Sequence, residues 1–294
     1  MKKNFAFLLK LTAFVFCLSG LISAQKLDGD RKMNQPVEPF KIIGNIYYVG
    51  ASDVTSYLIT TPKGHILIDS GFAETVPQIK ANVAKLGFKL EDVKILLINH
   101  AHYDHCGGLA ELKKLTGARL LASPPDAIVL EDGGASDFRF GGDQAFSFTP
   151  VKVDEILKDG QEIKLGDAVL KTYFTFGHTK GATSWTTDVS ENGTKYKVAF
   201  ISSVTTLDYS FVDNPKYPTI AEDFTKTYQT LEKIKADVFL SSHGGFFDLT
   251  EKAQKLRAGA KTNPFIDPQG YQSFVAQVTR QFEDKLKAQQ AGKK

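Results

Sequence analysis

The chain has 294 residues, of which 42% are hydrophobic and 23% are charged, so it is long and apolar enough to bury a sizeable core. Its 36 basic and 33 acidic residues give a formal net charge of +3. The excess comes from Lys2, Lys3 and Lys10, and the rest of the chain is balanced, which argues against nucleic acid or an anionic membrane surface as a partner.

The first 24 residues have the features of a secretory signal peptide. Two lysines precede an apolar run that ends in the small residues Ser23 and Ala24. An uncleaved membrane anchor is the alternative, but Lys10 interrupts the run and no similar stretch follows. We therefore expect a signal peptide at 1–24, cleavage after Ala24, export to the periplasm, and one mature domain at 25–294 with no membrane anchor.

Strands and helices alternate in the first half of that domain. "KIIGNIYYVG" and "SYLITTPKGHILIDSG" are typical of short strands, and "ETVPQIKANVAKLGF" places apolar residues on one helical face before a stop at Gly87. The apolar run "VKILLINH" indicates a strand buried on both faces, followed by a helix at "GGLAELKKLTG" and a strand at "ARLLAS". This order predicts a layered α/β fold.

The second half repeats the pattern after a long loop. Residues 132–148 are rich in Gly, Asp and Phe and have no sustained period, which predicts a functional or mobile loop. Strands are expected at "AVLKTYFTFGH", "TSWTTDV", "YKVAFISSV" and "DVFLSSHGG", and helices at "AEDFTKTYQTLEKIK" and from about Gln269, with a loose tail at "QQAGKK". No repeat or low-complexity linker divides the chain.

Half of the six histidines lie in one short stretch, "LLINHAHYDHCGG", directly after a predicted strand. In an extended chain His100 and His102 point the same way, and Asp104 and His105 follow as the chain turns. Four ionisable groups so close would repel one another or need partners, so we predict that this cluster binds metal.

Two further histidines stand at strand ends beside glycine, His178 in "FGHTKG" and His243 in "SSHGG". A single histidine in such a place is more often structural than a ligand. Together with the cluster, however, they make six candidate ligands. A catalytic zinc ion takes three protein ligands and keeps a position for water, so six suffice for two metals.

With these candidate ligands, the sequence resembles the metallo-β-lactamase superfamily. The motif H-x-H-x-D-H appears as "HAHYDH", with "DSG" at 69–71 and "GHTKG" downstream, and the likeness extends over most of 40–282. It implies an α/β fold with four layers, the αβ/βα sandwich. Within the superfamily, the sequence most resembles the class B zinc β-lactamases of the third subclass.

That subclass implies two Zn²⁺ per chain. By resemblance, one zinc ion would be held by His100, His102 and His178, and the other by Asp104, His105 and His243. The strand "VAFISSV" distinguishes the subclass, because lactonases and glyoxalase II place a bridging aspartate there and first-subclass lactamases a cysteine. Here Ser202 and Ser203 occupy the position.

The implied activity is hydrolysis of the amide bond of penicillins, cephalosporins and carbapenems by a metal-bound hydroxide, which confers antibiotic resistance. Asp104 would orient that hydroxide, and Ser203 and Thr205 would contact the substrate carboxylate unless they only hydrogen-bond locally. We expect a monomer acting on a small molecule. A superfamily lactonase or thioesterase using the same site is the alternative, and a closed structural zinc site is disfavoured by six ligands.

A serine β-lactamase is disfavoured, because S-x-x-K occurs only at 23–26 and K-T-G is absent.

Several other residues are open to two interpretations. Phe138, Phe140 and Phe146 either form an apolar wall over the substrate or pack the loop onto its own body. Cys106, the one cysteine after residue 24, is either a packed thiol or one made reactive by metal. The remaining three residues are interpreted as structural: Asp69 as a buried carboxylate, and Trp185 and His65 as members of the fold.

Overall fold

Two β-sheets face each other in the computed structural model, which describes residue 29 and residues 32–292. The predicted signal peptide lies outside the described residues. The first sheet has its strands in chain order: β1 (Phe40–Ile43), β2 (Ile46–Tyr48), β3 (Tyr57–Thr61), β4 (Gly64–Ile68), β5 (Val93–Leu97), β6 (Arg119–Ala122) and β7 (Glu155–Ile156). The first four are antiparallel, and β4 to β7 are parallel.

The second sheet has the order β12-β11-β10-β9-β8. Its strands are β8 (Glu162–Leu165), β9 (Ala168–Phe174), β10 (Thr183–Glu191), β11 (Thr194–Ile201) and β12 (Val238–Ser241). Neighbours are antiparallel except for β11 and β12, whose parallel register pairs Ile201 with Ser241. This pairing brings the ends of β11 and β12 to the same edge.

Helices cover the outer face of each sheet. The described α-helices are α1 (Val76–Lys85), α2 (Tyr103–Cys106), α3 (Leu109–Thr116), α4 (Pro124–Glu131), α5 (Ile220–Lys233), α6 (Leu249–Arg257) and α7 (Pro268–Ala291). Among the described residues, none of the helices combines the length and the apolar character that crossing a membrane requires.

The alternation of side chains along β5 shows how the layers form. Ile95 and Leu97 pack in the core between the two sheets, whereas Leu96 packs with α1 and α3 on the other face. The second sheet covers its outer face with α5 and α7, through residues such as Phe224 and Phe282. The predicted four-layer αβ/βα sandwich is confirmed.

Sequence patterns missed or misjudged some elements. Helix α4 was not predicted, although Ser123 caps its N-terminus and Pro124 is its first residue, as helix-start rules would expect. The prediction of a loose tail is wrong at Gln289: α7 continues to Ala291, and Gln289 hydrogen-bonds the backbone of Tyr209 and Phe211.

Candidate metal centre

The six predicted ligands come from loops that follow three different strands. The loop after β5 and its short helix α2 supply four of them, His178 follows β9, and His243 follows β12. Two glycines allow α2 to pack closely, because a Cβ on Gly107 would lie 2.5 Å from the Tyr103 carbonyl oxygen and one on Gly108 2.6 Å from Val76.

The first trio consists of His100, His102 and His178. All three rings are buried, and their candidate ligand atoms lie within 4.8 Å of one another. Their ring centroids are 4.8 to 4.9 Å apart in each pairing. The structure therefore brings together three imidazoles from two separate loops, as the resemblance implied, while their role as ligands stays a prediction.

The second trio consists of Asp104, His105 and His243. His105 Nε2 lies 3.2 Å from His243 Nε2 and 3.3 Å from Asp104 Oδ2, and His243 Nε2 lies 3.8 Å from that same oxygen. Around a tetrahedral zinc ion with bonds of about 2.0–2.2 Å, neighbouring ligand atoms are roughly 3.4 Å apart. The spacing and the donor types of this trio fit zinc.

Each histidine has a polar group at the ring nitrogen that faces away from its trio. The Nδ1 atom of His178 donates to the Thr205 carbonyl oxygen at 2.9 Å, and Nδ1 of His243 donates to Asp53 Oδ2 at 2.9 Å. The remaining three pairs are longer: His100 Nδ1 to Ser202 Oγ at 3.4 Å, His105 Nδ1 to Asp69 Oδ2 at 3.5 Å, and His102 Nε2 to Asp137 Oδ2 at 3.7 Å. Such partners orient metal-binding imidazoles.

Burial keeps the first trio neutral. It holds the pKa of His100 well below its usual value, and the neighbouring imidazoles act in the same direction. Burial also lowers the pKa of His102 to about 4, and burial together with the neighbouring imidazole of His102 lowers that of His178 to about 3. Neutral imidazole is the form that binds a metal ion.

Asp104 and His105 form a buried ion pair. Burial disfavours the charge of Asp104, but the positive charge and hydrogen bond of His105 outweigh it, so the pKa of Asp104 lies well below its usual value. Conversely, the carboxylate of Asp104 outweighs the effect of burial on His105 and raises its pKa to about 10. A metal bound by both groups would replace the proton between them.

Both trios open into a cleft of about 600 Å³. Its walls include aromatic side chains on two sides, Phe140 and Phe146 from the long loop and Phe246 after β12. The rings of Phe140 and Phe146 are stacked with centroids 4.3 Å apart. None of the described residues that line this cleft is lysine or arginine.

The predicted substrate contacts lie on the cleft wall, but both already have local partners. Ser203 Oγ is 2.8 Å from Ser242 Oγ, and Thr205 Oγ1 is 3.2 Å from His178 Nδ1. Their contact with substrate stays a prediction.

Phe138 differs from the two aromatic residues that follow it in the long loop. Its ring is buried between Tyr209 and Tyr217, with centroid distances of 5.1 and 5.0 Å. The expectation that Phe138 forms part of an apolar wall over the substrate is therefore wrong. Phe140 and Phe146 do line the cleft.

The residues interpreted as structural are all buried. Trp185 lies in the core, and His65 packs in β4 against Phe88. Asp69 accepts from the Asn99 backbone N–H at 2.7 Å and faces His105. Cys106 is buried, which raises the pKa of its thiol and favours the packing interpretation.

Sequence patterns did not identify three carboxylates that lie near the candidate ligands. Asp53 contacts His243, Asp137 faces His102, and Asp126 binds the backbone N–H of Ala101. They lie in segments that carry no metal-binding motif, so only the folded structure reveals them.

Comparison with known families and structures supports the resemblance. The sequence profile of the metallo-beta-lactamase superfamily matches residues 49–190. The solved structure of the FEZ-1 metallo-beta-lactamase from Legionella gormanii is 44% identical, with a TM-score of 0.86, over 88% of this chain and 98% of that one. BJP-1, a subclass B3 metallo-beta-lactamase of Bradyrhizobium japonicum, is 37% identical, with a TM-score of 0.83, over 90% and 99%.

Curated relatives carry other names. A UPF0173 metal-dependent hydrolase of Anaeromyxobacter dehalogenans (strain 2CP-C) is 28% identical over 77% of each chain. A hydroxyacylglutathione hydrolase of Bradyrhizobium sp. (strain ORS 278) is 29% identical over 48% of this chain and 46% of its own length.

Proposed function

Because this chain belongs to the metallo-β-lactamase superfamily, we propose that it is a zinc β-lactamase of the B3 type, which hydrolyses the amide bond of penicillins, cephalosporins and carbapenems. The observation that carries the proposal is the completion of the second trio by His243 while two serines, Ser202 and Ser203, directly follow β11. No aspartate or cysteine stands at that position, where the lactonases and first-subclass lactamases described above have a ligand.

The two trios are each proposed to hold one zinc ion. Three protein ligands leave each ion a position for water or substrate, as catalytic sites require. Zinc bound there would supply Lewis acidity, which lowers the pKa of water towards about 7 and polarises a carbonyl group.

The protein's own groups would orient the reacting atoms. Asp104 uses Oδ2 towards His105 and His243, so its Oδ1 is the atom proposed to accept a hydrogen bond from the attacking hydroxide and orient it. When the ring opens, the same carboxyl group is proposed to pass the proton of that hydroxide to the leaving nitrogen, while the former carbonyl carbon becomes a carboxylate.

The cleft walls would hold the rest of the substrate. The hydroxyl groups of Ser203 and Thr205 are proposed to donate to the substrate carboxylate, since the described cleft lining offers no cationic side chain. Phe140 and Phe146 would pack against an apolar acyl group. Substrate packed against these rings would be shielded from water on that side of the scissile bond.

A thioesterase is the second candidate, favoured by the similarity to hydroxyacylglutathione hydrolase. That similarity covers about half of the chain, and the end of β11 lacks the bridging aspartate expected of glyoxalase II. A lactonase is disfavoured for the same reason.

An assay of the zinc-loaded protein lacking residues 1–24 separates these functions. We expect rapid opening of a penicillin, a cephalosporin and a carbapenem, abolished by a chelator and restored by zinc, and slow turnover of a lactone and a thioester. The variant Cys106→Ser, which changes no proposed ligand, should retain the lactam activity. Fast thioester or lactone cleavage without lactam opening would contradict the proposal.

Export and assembly are further parts of the proposal. We propose that residues 1–24 are removed during export to the periplasm and that the mature chain acts as a monomer. N-terminal sequencing of periplasmic protein should begin at Gln25, and light scattering of the purified protein should give the mass of a single chain.

A further inference from the structure

A buried carboxylate outside both trios connects the two loops that form the first one. Asp126 lies near the start of α4 with a relative exposure of 1%. Its Oδ2 accepts from the Ala101 N–H at 3.1 Å, and its Oδ1 accepts from Thr179 Oγ1 at 3.2 Å. The N–H of Gly181 also donates to this carboxyl group.

These contacts are placed directly beside the candidate ligands. Ala101 stands between His100 and His102, and Thr179 follows His178 in the chain. One carboxyl group therefore accepts hydrogen bonds from both segments that bring the three imidazoles together. The second trio is held by other carboxylates, Asp53 and Asp69.

Local packing fixes the position of this carboxyl group. Ser123, the N-cap of α4, accepts from the Asp126 N–H and donates its hydroxyl proton to the Gly181 carbonyl oxygen at 2.6 Å. A Cβ on Gly181 would lie 2.3 Å from Asp126 Oδ1, so a larger residue there would displace the carboxyl group.

We propose that Asp126 is a positioning residue for the metal held by His100, His102 and His178, and that it has no comparable effect on the metal of the second trio. The inference depends on the zinc sites of the proposed function. Asp126 does not touch the metal, so it acts through the backbone on either side of the ligands.

Asp126→Asn tests this proposal with almost no change of shape. An amide has one acceptor and one donor group, whereas both carboxylate oxygens accept hydrogen bonds, Oδ2 from the Ala101 N–H and Oδ1 from Thr179 Oγ1. Whichever way the amide turns, its NH₂ group replaces one of these two acceptors. Either the Ala101 N–H or the Thr179 hydroxyl group then loses its acceptor, which weakens the connection to the loop that carries it.

The experiment isolates each site before measuring its affinity. In a His243→Ala background only the first trio is complete, and in a His178→Ala background only the second. Zinc affinity is measured by competition with a chromophoric chelator. We expect Asp126→Asn to weaken zinc binding about 10- to 100-fold in the first background, as is usual for groups that orient ligands, and less than about 2-fold in the second.

Two matched variants complete the design. Asp154→Asn removes a carboxylate that accepts a backbone N–H, that of Leu120 at 2.8 Å, elsewhere in the same half of the protein, and should change neither affinity. Thr179→Val removes one of the contacts of Asp126 and should weaken only the first site, by a smaller factor. Combined with Asp126→Asn it should add less than its separate effect, because the two residues share one interaction.

The outcomes separate this inference from the proposed function. Unchanged zinc affinity, or an equal loss at both sites, would overturn the role of Asp126 while leaving two zinc sites intact. Failure of the protein with all six ligands to bind zinc would overturn both. If Asp126→Asn does not fold, the variant Thr179→Val tests the inference in its place. Equal zinc affinity of the first trio with and without Thr179→Val rejects the inference.

Discussion

Single hydrogen bonds orient the side chains of the candidate ligands, and His243 is the clearest case. Asp53 accepts from its Nδ1 and also from the Gly245 N–H at 2.9 Å, so the carboxylate holds both the ring and the chain that follows it. These hydrogen bonds outweigh burial and lower the pKa of Asp53, which keeps it ionised. The opposite nitrogen, Nε2, is thereby directed towards Asp104 and His105.

Asp53→Asn should weaken zinc binding at the second trio by about 10- to 100-fold, because the imidazole loses its charged partner. Metal content after dialysis against graded chelator concentrations measures the effect. Glu251→Gln, on the exposed surface of α6, is the control and should leave metal content unchanged. If Asp53→Asn retains both metals under the same conditions, Asp53 does not orient His243.

Zinc binding should release close to one proton per chain at pH 7 from the second trio. Without metal His105 is protonated, because its pKa is raised, and a bound metal ion needs the neutral ring. The affinity therefore rises with pH through the neutral range and falls in acid. Calorimetric titration in buffers of different ionisation enthalpy counts the proton, and a heat that is independent of buffer would contradict the expectation.

At the scale of elements, two segments border the cleft and are fixed in different ways. The loop 138–148 is anchored by the buried ring of Phe138 and presents Phe140 and Phe146 to the cleft. The segment that follows β11 is held by α7, because Lys285 donates to the Thr206 carbonyl oxygen and Gln289 binds Tyr209 and Phe211. The C-terminal helix thus supports the wall that carries Thr205.

Phe140→Ala should raise KM for a penicillin with an aromatic side chain at least roughly 5-fold, since an aromatic contact contributes about 1 kcal/mol beyond its buried area. Its effect on kcat should be smaller, because its ring packs against the His102 ring, with centroids 5.0 Å apart, and supplies no ligand atom. Steady-state kinetics of the variant measure both constants. A large loss of kcat with unchanged KM would instead place Phe140 in the chemical step.

Gln289→Ala should lower the free energy of unfolding by about 1–3 kcal/mol, because the Phe211 N–H and the Tyr209 carbonyl oxygen lose their partner. Urea denaturation measures the difference. The neighbouring exposed residue Gln290 supplies a matched control, Gln290→Ala, which should change stability by less than about 0.5 kcal/mol. Equal stabilities of the two variants would show that the end of α7 does not secure this segment.

At the scale of the whole molecule, both trios join the two halves of the sandwich. His100 and His102 follow a strand of the first sheet, whereas His178 and His243 follow strands of the second. A metal ion in either trio would therefore link the halves at one edge. The apolar core between the sheets contains residues of both, such as Ile95 and Phe200, and the trios lie beyond the ends of the strands that border it.

Removal of metal by a chelator should lower the thermal midpoint. A ligand present at 100 times its Kd stabilises the folded state by about 2.7 kcal/mol, and two sites add to the effect. Scanning calorimetry with and without a chelator measures the shift. The double variant His178→Ala/His243→Ala should show almost no chelator-dependent shift, and a shift equal to that of the unsubstituted protein would indicate a metal site elsewhere.

Strand periodicity and the motif "HAHYDH" are local patterns, so the sequence alone predicted the layered fold and the cluster from His100 to His105. It also offered His178 and His243 as candidate ligands, and the resemblance to the superfamily divided the six residues into the two trios that the structure brings together. It also placed Ser202 and Ser203 where a ligand might have stood. Only the tertiary structure revealed Asp53, Asp126 and Asp137, which act across 25 to 190 residues of chain or from a loop without periodicity. A carboxylate orients a ligand through distance and angle, and these depend on packing between segments that carry no pattern of their own.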